Sequence, residues 1–185
     1  MQRLTRTATA LAAALAFGLL APAAGVAADC EGQDDSPDTM ALSDAREATL
    51  CLLNDERTSR GLSALREHPE LRSTAQNYAR LMVSERFFDH VSPGGSTMLD
   101  RIKRGDYLRS GRSWIVGENL AWGSGGAQTP AKIVRAWMKS PGHRKNILNG
   151  RFRDIGIGIS DGAPVRGVTA ANGAATYVNN FGARG

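Results

Sequence analysis

Three histidines and two cysteines are all that 185 residues supply of the side chains best suited to metal binding and nucleophilic chemistry. The chain has no His-Glu-x-x-His helix, no Gly-x-Ser-x-Gly elbow and no phosphate loop ending in Gly-Lys-Ser/Thr. It therefore lacks the local signatures of a zinc protease, a serine hydrolase and a nucleotide-binding loop. Gly123-Ser124-Gly125-Gly126 has the glycines of a phosphate loop but no lysine and no confident strand before it, so it reads as a flexible loop. Beyond the first 28 residues no apolar run is long enough to span a bilayer. A strong excess of one charge is also missing. The formal net charge of +5 falls to +3 once residues 1–28, which carry Arg3 and Arg6 and no acid, are set aside. Charges of both signs are interspersed, which argues against nucleic acid and permits only weak attraction to an anionic wall or membrane face.

The N-terminus is what a secretory signal looks like. Arg3 and Arg6 precede an apolar run from about Ala8 to Leu20, and small residues follow to Ala28. Val26-Ala27-Ala28 meets the small-x-small rule, placing a cut after Ala28. The apolar run is short for a membrane anchor, and Asp29 stands where a lipid attachment at Cys30 would want a small residue. Both cysteines, Cys30 and Cys51, survive that cut. An exported pair favours a disulfide closing a loop of about 20 residues. The alternative is a small buried Cys51 with Cys30 loose in the tail.

Residues 29–42 read as a flexible polar leader, and residues 43–185 as one domain. Ser43 is a plausible N-cap for a helix over 43–60, striped by Leu42, Ala45, Thr49, Leu52 and Leu53 and stopped by Gly61. Pro69 opens a second helix with Leu71, Ala75, Tyr78, Ala79 and Met82 on one face. Thr97 and Asp100 predict a capping box, with Gly105 as the stop. Thr129-Pro130 starts a helix that buries Ile133, Val134, Trp137 and Met138 and ends before Pro141. Strands come late: Ile155, Ile157 and Ile159 alternate with glycines, and Ala175–Phe181 follows the turn at Asn172-Gly173. Trp114–Val116 is a further candidate strand. Helices flanking a small, mainly antiparallel sheet make an α+β domain.

The candidate chemistry rests on few residues. His68, before Pro69, reads as an exposed polar residue at a helix entrance. His90 ends Phe87-Phe88-Asp89-His90, and His143 follows the helix break Ser140-Pro141-Gly142. Glu118 stands between Ile115-Val116 and Leu120-Ala121, where a carboxylate is costly to bury without a partner. Two imidazoles and one carboxylate could pair with each other, share protons or hold a divalent metal. Spacing alone does not bring them together.

Taken in order, several motifs resemble the CAP superfamily of cysteine-rich secretory, antigen 5 and pathogenesis-related 1 proteins, in its bacterial, SCP-like form. The likeness covers roughly residues 46–182. It rests on Leu53-Asn54-Asp55-Glu56-Arg57, Phe88-Asp89-His90, Asp100-Arg101-Ile102 and Gly117-Glu118-Asn119-Leu120-Ala121. Trp137-Met138-x-Ser140-Pro141-Gly142-His143-Arg144-x-Asn146-Ile147-Leu148 is the most distinctive stretch, and Ile155-Gly156-Ile157-Gly158 and Phe181-Gly182 close the match. The resemblance implies an α-β-α sandwich. It implies a cleft with His90, Glu118, Asn119 and His143, in which His90, Glu118 and His143 could hold zinc or another divalent cation. Two departures bear on that cleft. Asn179-Asn180 stand where many members carry Thr-Gln before Phe-Gly, and Lys139-Ser140 replace a glutamate found after the tryptophan in animal and plant members. Three ligands with an open position is the most these residues allow.

Three functions are compatible with this reading. The first is a secreted, monomeric binding module for an extracellular lipid, glycan, cell-wall fragment or partner protein. The second is a metal-assisted hydrolase with Glu118 as general base. The third is a structural secreted protein whose cleft residues only knit the core. The missing nucleophile motifs lean away from an enzyme.

Overall fold

In a computed structural model of the chain, residues 29–109, 113–168 and 173–185 are described. The expected signal segment, residues 1–28, and Asn172 of the expected turn lie outside them. Five helices, α1 (Leu42–Thr58), α2 (Pro69–Glu85), α3 (Met98–Arg104), α4 (Pro130–Lys139) and α5 (Pro141–Ile147), accompany four strands. The strands are β1 (Arg66–Glu67), β2 (Trp114–Ser124), β3 (Asp154–Asp161) and β4 (Ala174–Arg184). They form one sheet in the order β1-β3-β4-β2, parallel only between β1 and β3.

Helices cover both faces, so the domain is the α-β-α sandwich that the motifs imply. Ile155, Ile157, Ile159, Tyr177 and Phe181 point to one side and pack with Leu53 of α1, Ile133, Val134 and Trp137 of α4, and Ile147 of α5. Leu120 and Val178 point to the other, against Ala75, Tyr78, Ala79 and Met82 of α2. This alternation is the period of two that strand geometry dictates. The glycines between the β3 isoleucines have a steric purpose. A β-carbon at Gly156 would collide with the Leu71 backbone and one at Gly158 with the Ala75 backbone, so α2 lies directly on the strand.

The α3 capping box forms as expected: the Thr97 hydroxyl accepts from the Asp100 amide and the Asp100 side chain accepts from the Thr97 amide. Thr129 likewise caps α4. Ser43 does not cap α1. The helix starts at Leu42, whose side chain packs on the core, with Ala41 at the cap position. The Ser43 hydroxyl turns instead to Asp44.

Residues 29–41, expected as a structureless leader, form hydrogen-bonded turns against the domain. Cys30 is buried and bonded to Cys51 on α1, with Cα atoms 5.7 Å apart. The Ala131 amide donates to the Gln33 carbonyl (2.8 Å), and the Gln128 amide donates to Ser36 Oγ (2.6 Å). The crosslink and these bonds supply the anchoring that local composition lacks. Strand β2 also exceeds its expected length, continuing from Val116 through Glu118 to Ser124 in register with β4. Among the described residues, no helix is long and apolar enough to cross a membrane.

Candidate functional site

Glu118 lies in the middle of β2, opposite Asn180 of β4, and its side chain is only 2% exposed. A carboxylate in that position requires compensation. Arg101 of α3 supplies it: Nη2 donates to both oxygens of Glu118, at 3.0 and 2.8 Å. The same guanidinium donates through Nη1 to the carbonyls of His90 (3.1 Å) and Ser96 (2.8 Å). Its flat face covers the Tyr78 ring, 3.2 Å from the centroid. Tyr78 in turn donates to the Asp89 carbonyl (2.6 Å), and burial pushes its phenol up to about 12. Arg101 thus holds the carboxylate and the 89–96 loop in one arrangement.

That loop delivers His90. Its Nδ1 is 2.9 Å from Glu118 Oε1, and because a carboxylate only accepts, Nδ1 carries the proton. The bond to Glu118 raises the His90 pKa above its ordinary 6.5, against a smaller opposing effect of burial. More than half of the ring remains exposed.

His143 reaches the region from the opposite layer, on α5. The helix is held to β2 by two asparagines. Asn119 Nδ2 donates to the His143 carbonyl (3.1 Å), and Asn146 Nδ2 donates to Asn119 Oδ1 (2.9 Å) and to the Glu118 carbonyl (3.2 Å). From below, fully buried Arg57 donates to the carbonyls of Ile147 (2.6 Å) and Asn149 (3.1 Å). The Ser-Pro-Gly break therefore places the His143 imidazole within electrostatic reach of His90. Its pKa is lowered, first by burial and then by the His90 charge. Two imidazoles pushed in opposite directions mark a functional-site candidate.

Of the four residues expected in the cleft, His90 and Glu118 are bonded directly, whereas His143 makes no hydrogen bond to either and is linked to them only through the effect of the His90 charge on its ring. Asn119 has a different place: strand alternation turns it to the α5 side, where it positions His143 through the backbone. His68 is not in this cluster; its Nε2 is 3.1 Å from Arg184. Asn179 and Asn180, the altered positions in the middle of β4, are fully buried, and their side-chain amides have no partner among the described residues. Arg101 is the residue that motif reading quotes without assigning to the site. The signal for it is the buried Glu118, which calls for a cation.

This donor set does not fit a divalent metal. Both Glu118 oxygens are engaged by a guanidinium, and a metal ion there would face a fixed positive charge within hydrogen-bonding distance. Among the described residues no group of three or more His, Cys, Asp or Glu side chains is arranged to hold an ion. Beside His90 and Glu118 lies a groove of about 360 Å³, walled by Val91, Thr97, Met98 and Leu99. Val91 in this wall is 45% exposed, and Phe88, two residues before His90, is 42% exposed.

Comparison with known proteins agrees with this architecture. The chain is 37% identical over 115 residues to the protein YkwD of Bacillus subtilis, covering 62% of this chain and 42% of that protein. It is 30% identical over 112 residues to the B. subtilis membrane protein YlbC, covering 60% of this chain and 30% of that one. It thus spans less than half the length of these curated relatives. An outer surface protein of Borrelia burgdorferi shares the fold at a TM-score of 0.65 and 23% identity, over 79% of this chain and 97% of that one. An extracellular protein containing an SCP domain from Bacillus anthracis shares it at 0.57 and 24%, over 77% and 43%. The sequence profile of the cysteine-rich secretory protein family, CAP, matches residues 50–178. The chain belongs to that family.

Proposed function

We propose that the protein is a secreted binding module whose cleft takes an amphiphilic ligand, with an apolar segment along Val91, Met98 and Leu99 and an anionic group at His90. The observation that carries this reading is the Arg101–Glu118 pair. Arg101 and Glu118 cancel each other's charge, so a protonated His90 presents its positive ring at an apolar groove, with Asp89 as the remaining acid near it. A hydrolase using Glu118 as general base would need a free carboxylate, whereas both Glu118 oxygens accept from Arg101 and one also faces His90 Nδ1. The reading of residues 1–28 as a secretory signal, two arginines before an apolar run and a small-residue exit, is what supports export.

Dodecanoate, an apolar chain with one carboxylate, is a simple probe. Its addition to the isotopically labelled protein is expected to shift the His90 ring and Met98 methyl resonances, and His90→Ala is expected to weaken the interaction. Unchanged resonances at both positions, with dodecanoate and with a neutral detergent of the same chain length, would return the cluster to a structural role.

A further inference from the structure

A second surface, which shares no lining residue with the groove beside His90, has a composition the cleft does not explain. Trp114 begins β2, is 44% exposed and is paired in register with Arg184. Around them lies a groove of about 390 Å³ whose wall includes Arg151 and Arg153. Ile115 and Ala183 form part of the same wall, and none of the lining residues is acidic. Arg184 is fixed by donation to the Tyr107 carbonyl, lies 4.8 Å from the Tyr107 ring centroid, and is within 3.7 Å of Glu70. Arg153 is held by donation to the Phe152 carbonyl (2.9 Å). Among the described residues, neither Arg151 nor Arg153 has a carboxylate partner within 4 Å, so these two guanidiniums are left to pair with an outside anion, while Arg184 faces Glu70 and Gly185 brings a main-chain carboxyl group to the groove's rim.

We propose that this groove binds an acidic polysaccharide. The flat apolar face of an exposed tryptophan matches the C–H face of a sugar ring, and guanidinium forks match carboxylates bidentately. A single-stranded nucleic acid fits less well. Such strands are usually tracked by successive aromatic platforms along a basic face, whereas here one tryptophan stands with three arginines on a chain of low net charge. The proposal is independent of the cleft reading because the two sites share no residue.

The test is binding of polygalacturonate to the mature protein by calorimetry at low ionic strength. Binding that weakens with added salt is expected. Trp114→Ala and Arg151→Gln are each expected to reduce affinity by about tenfold, as for central aromatic and arginine contacts. Trp114→Phe should retain most of the affinity and His90→Ala all of it. Unchanged thermal melting would show that the variants are folded. Absence of polygalacturonate binding, or variants binding like wild type, would overturn the proposal. So would tighter binding of an oligothymidylate or of phosphatidylglycerol vesicles, which would reassign the groove to nucleic acid or to a membrane surface.

Discussion

Arg101 holds both oxygens of Glu118 from a single nitrogen, with the two side chains only 7% and 2% exposed. Removing one member of such a pair strands the other. Arg101→Ala is therefore expected to cost about 3–5 kcal/mol in unfolding free energy, measured by denaturant titration. Arg101→Met combined with Glu118→Leu should lose much less than the sum of the single changes. Additive losses would mean that the pair is not coupled.

The histidines predict a pH dependence with two adjoining windows. His90 has a raised pKa, so its contribution to stability is complete below its ordinary 6.5 and is lost as pH rises through its folded value. His143 has a lowered pKa, so it opposes folding below its folded value, and that penalty disappears as pH rises toward 6.5. NMR titration of the ring protons should give His90 the higher pKa of the two. Glu118→Gln should bring it down, because its largest cause is the bond to that carboxylate. The reverse order of the two histidines would contradict the arrangement.

How far the sequence discloses this depends on how local each signal is. Helix α2 is legible because Leu71, Ala75, Tyr78, Ala79 and Met82 repeat on one face, and all five are buried. The α3 capping box is legible because Thr97 and Asp100 are three residues apart. Strand β2 is not legible past Val116, because Gly117-Glu118-Asn119 breaks the apolar pattern. The charge becomes tolerable only when Arg101, 17 residues away, folds against it. Arg57 is a similar case: it lies in α1, yet apart from Ser63 its carbonyl partners come some 90 residues later. His90 and His143 stand out by rarity and by their motifs, whereas their opposite pKa shifts arise only from the packed environment. The leader looks structureless because its order comes from a crosslink and from Gln128 and Ala131, all distant in sequence.

That crosslink gives a direct prediction. Cys30 and Cys51, 21 residues apart, are the chain's two cysteines. The Cys30→Ser/Cys51→Ser variant should lose roughly 3 kcal/mol of stability, the chain-entropy value for a loop of this size. Denaturant unfolding of the variant beside wild type measures the loss. Equal midpoints would show that the hydrogen bonds of Gln33 and Gln128 hold the segment without the crosslink.

The central claim is that a guanidinium, rather than a metal ion, balances Glu118. It is tested most directly by zinc titration of the purified protein at neutral pH, followed by thermal melting of wild type and Arg101→Gln. The account predicts no zinc-dependent change in the Tm of wild type. It predicts a rise in the variant, where Glu118 is freed beside His90. A saturable rise in wild type that disappears in His90→Ala would contradict it.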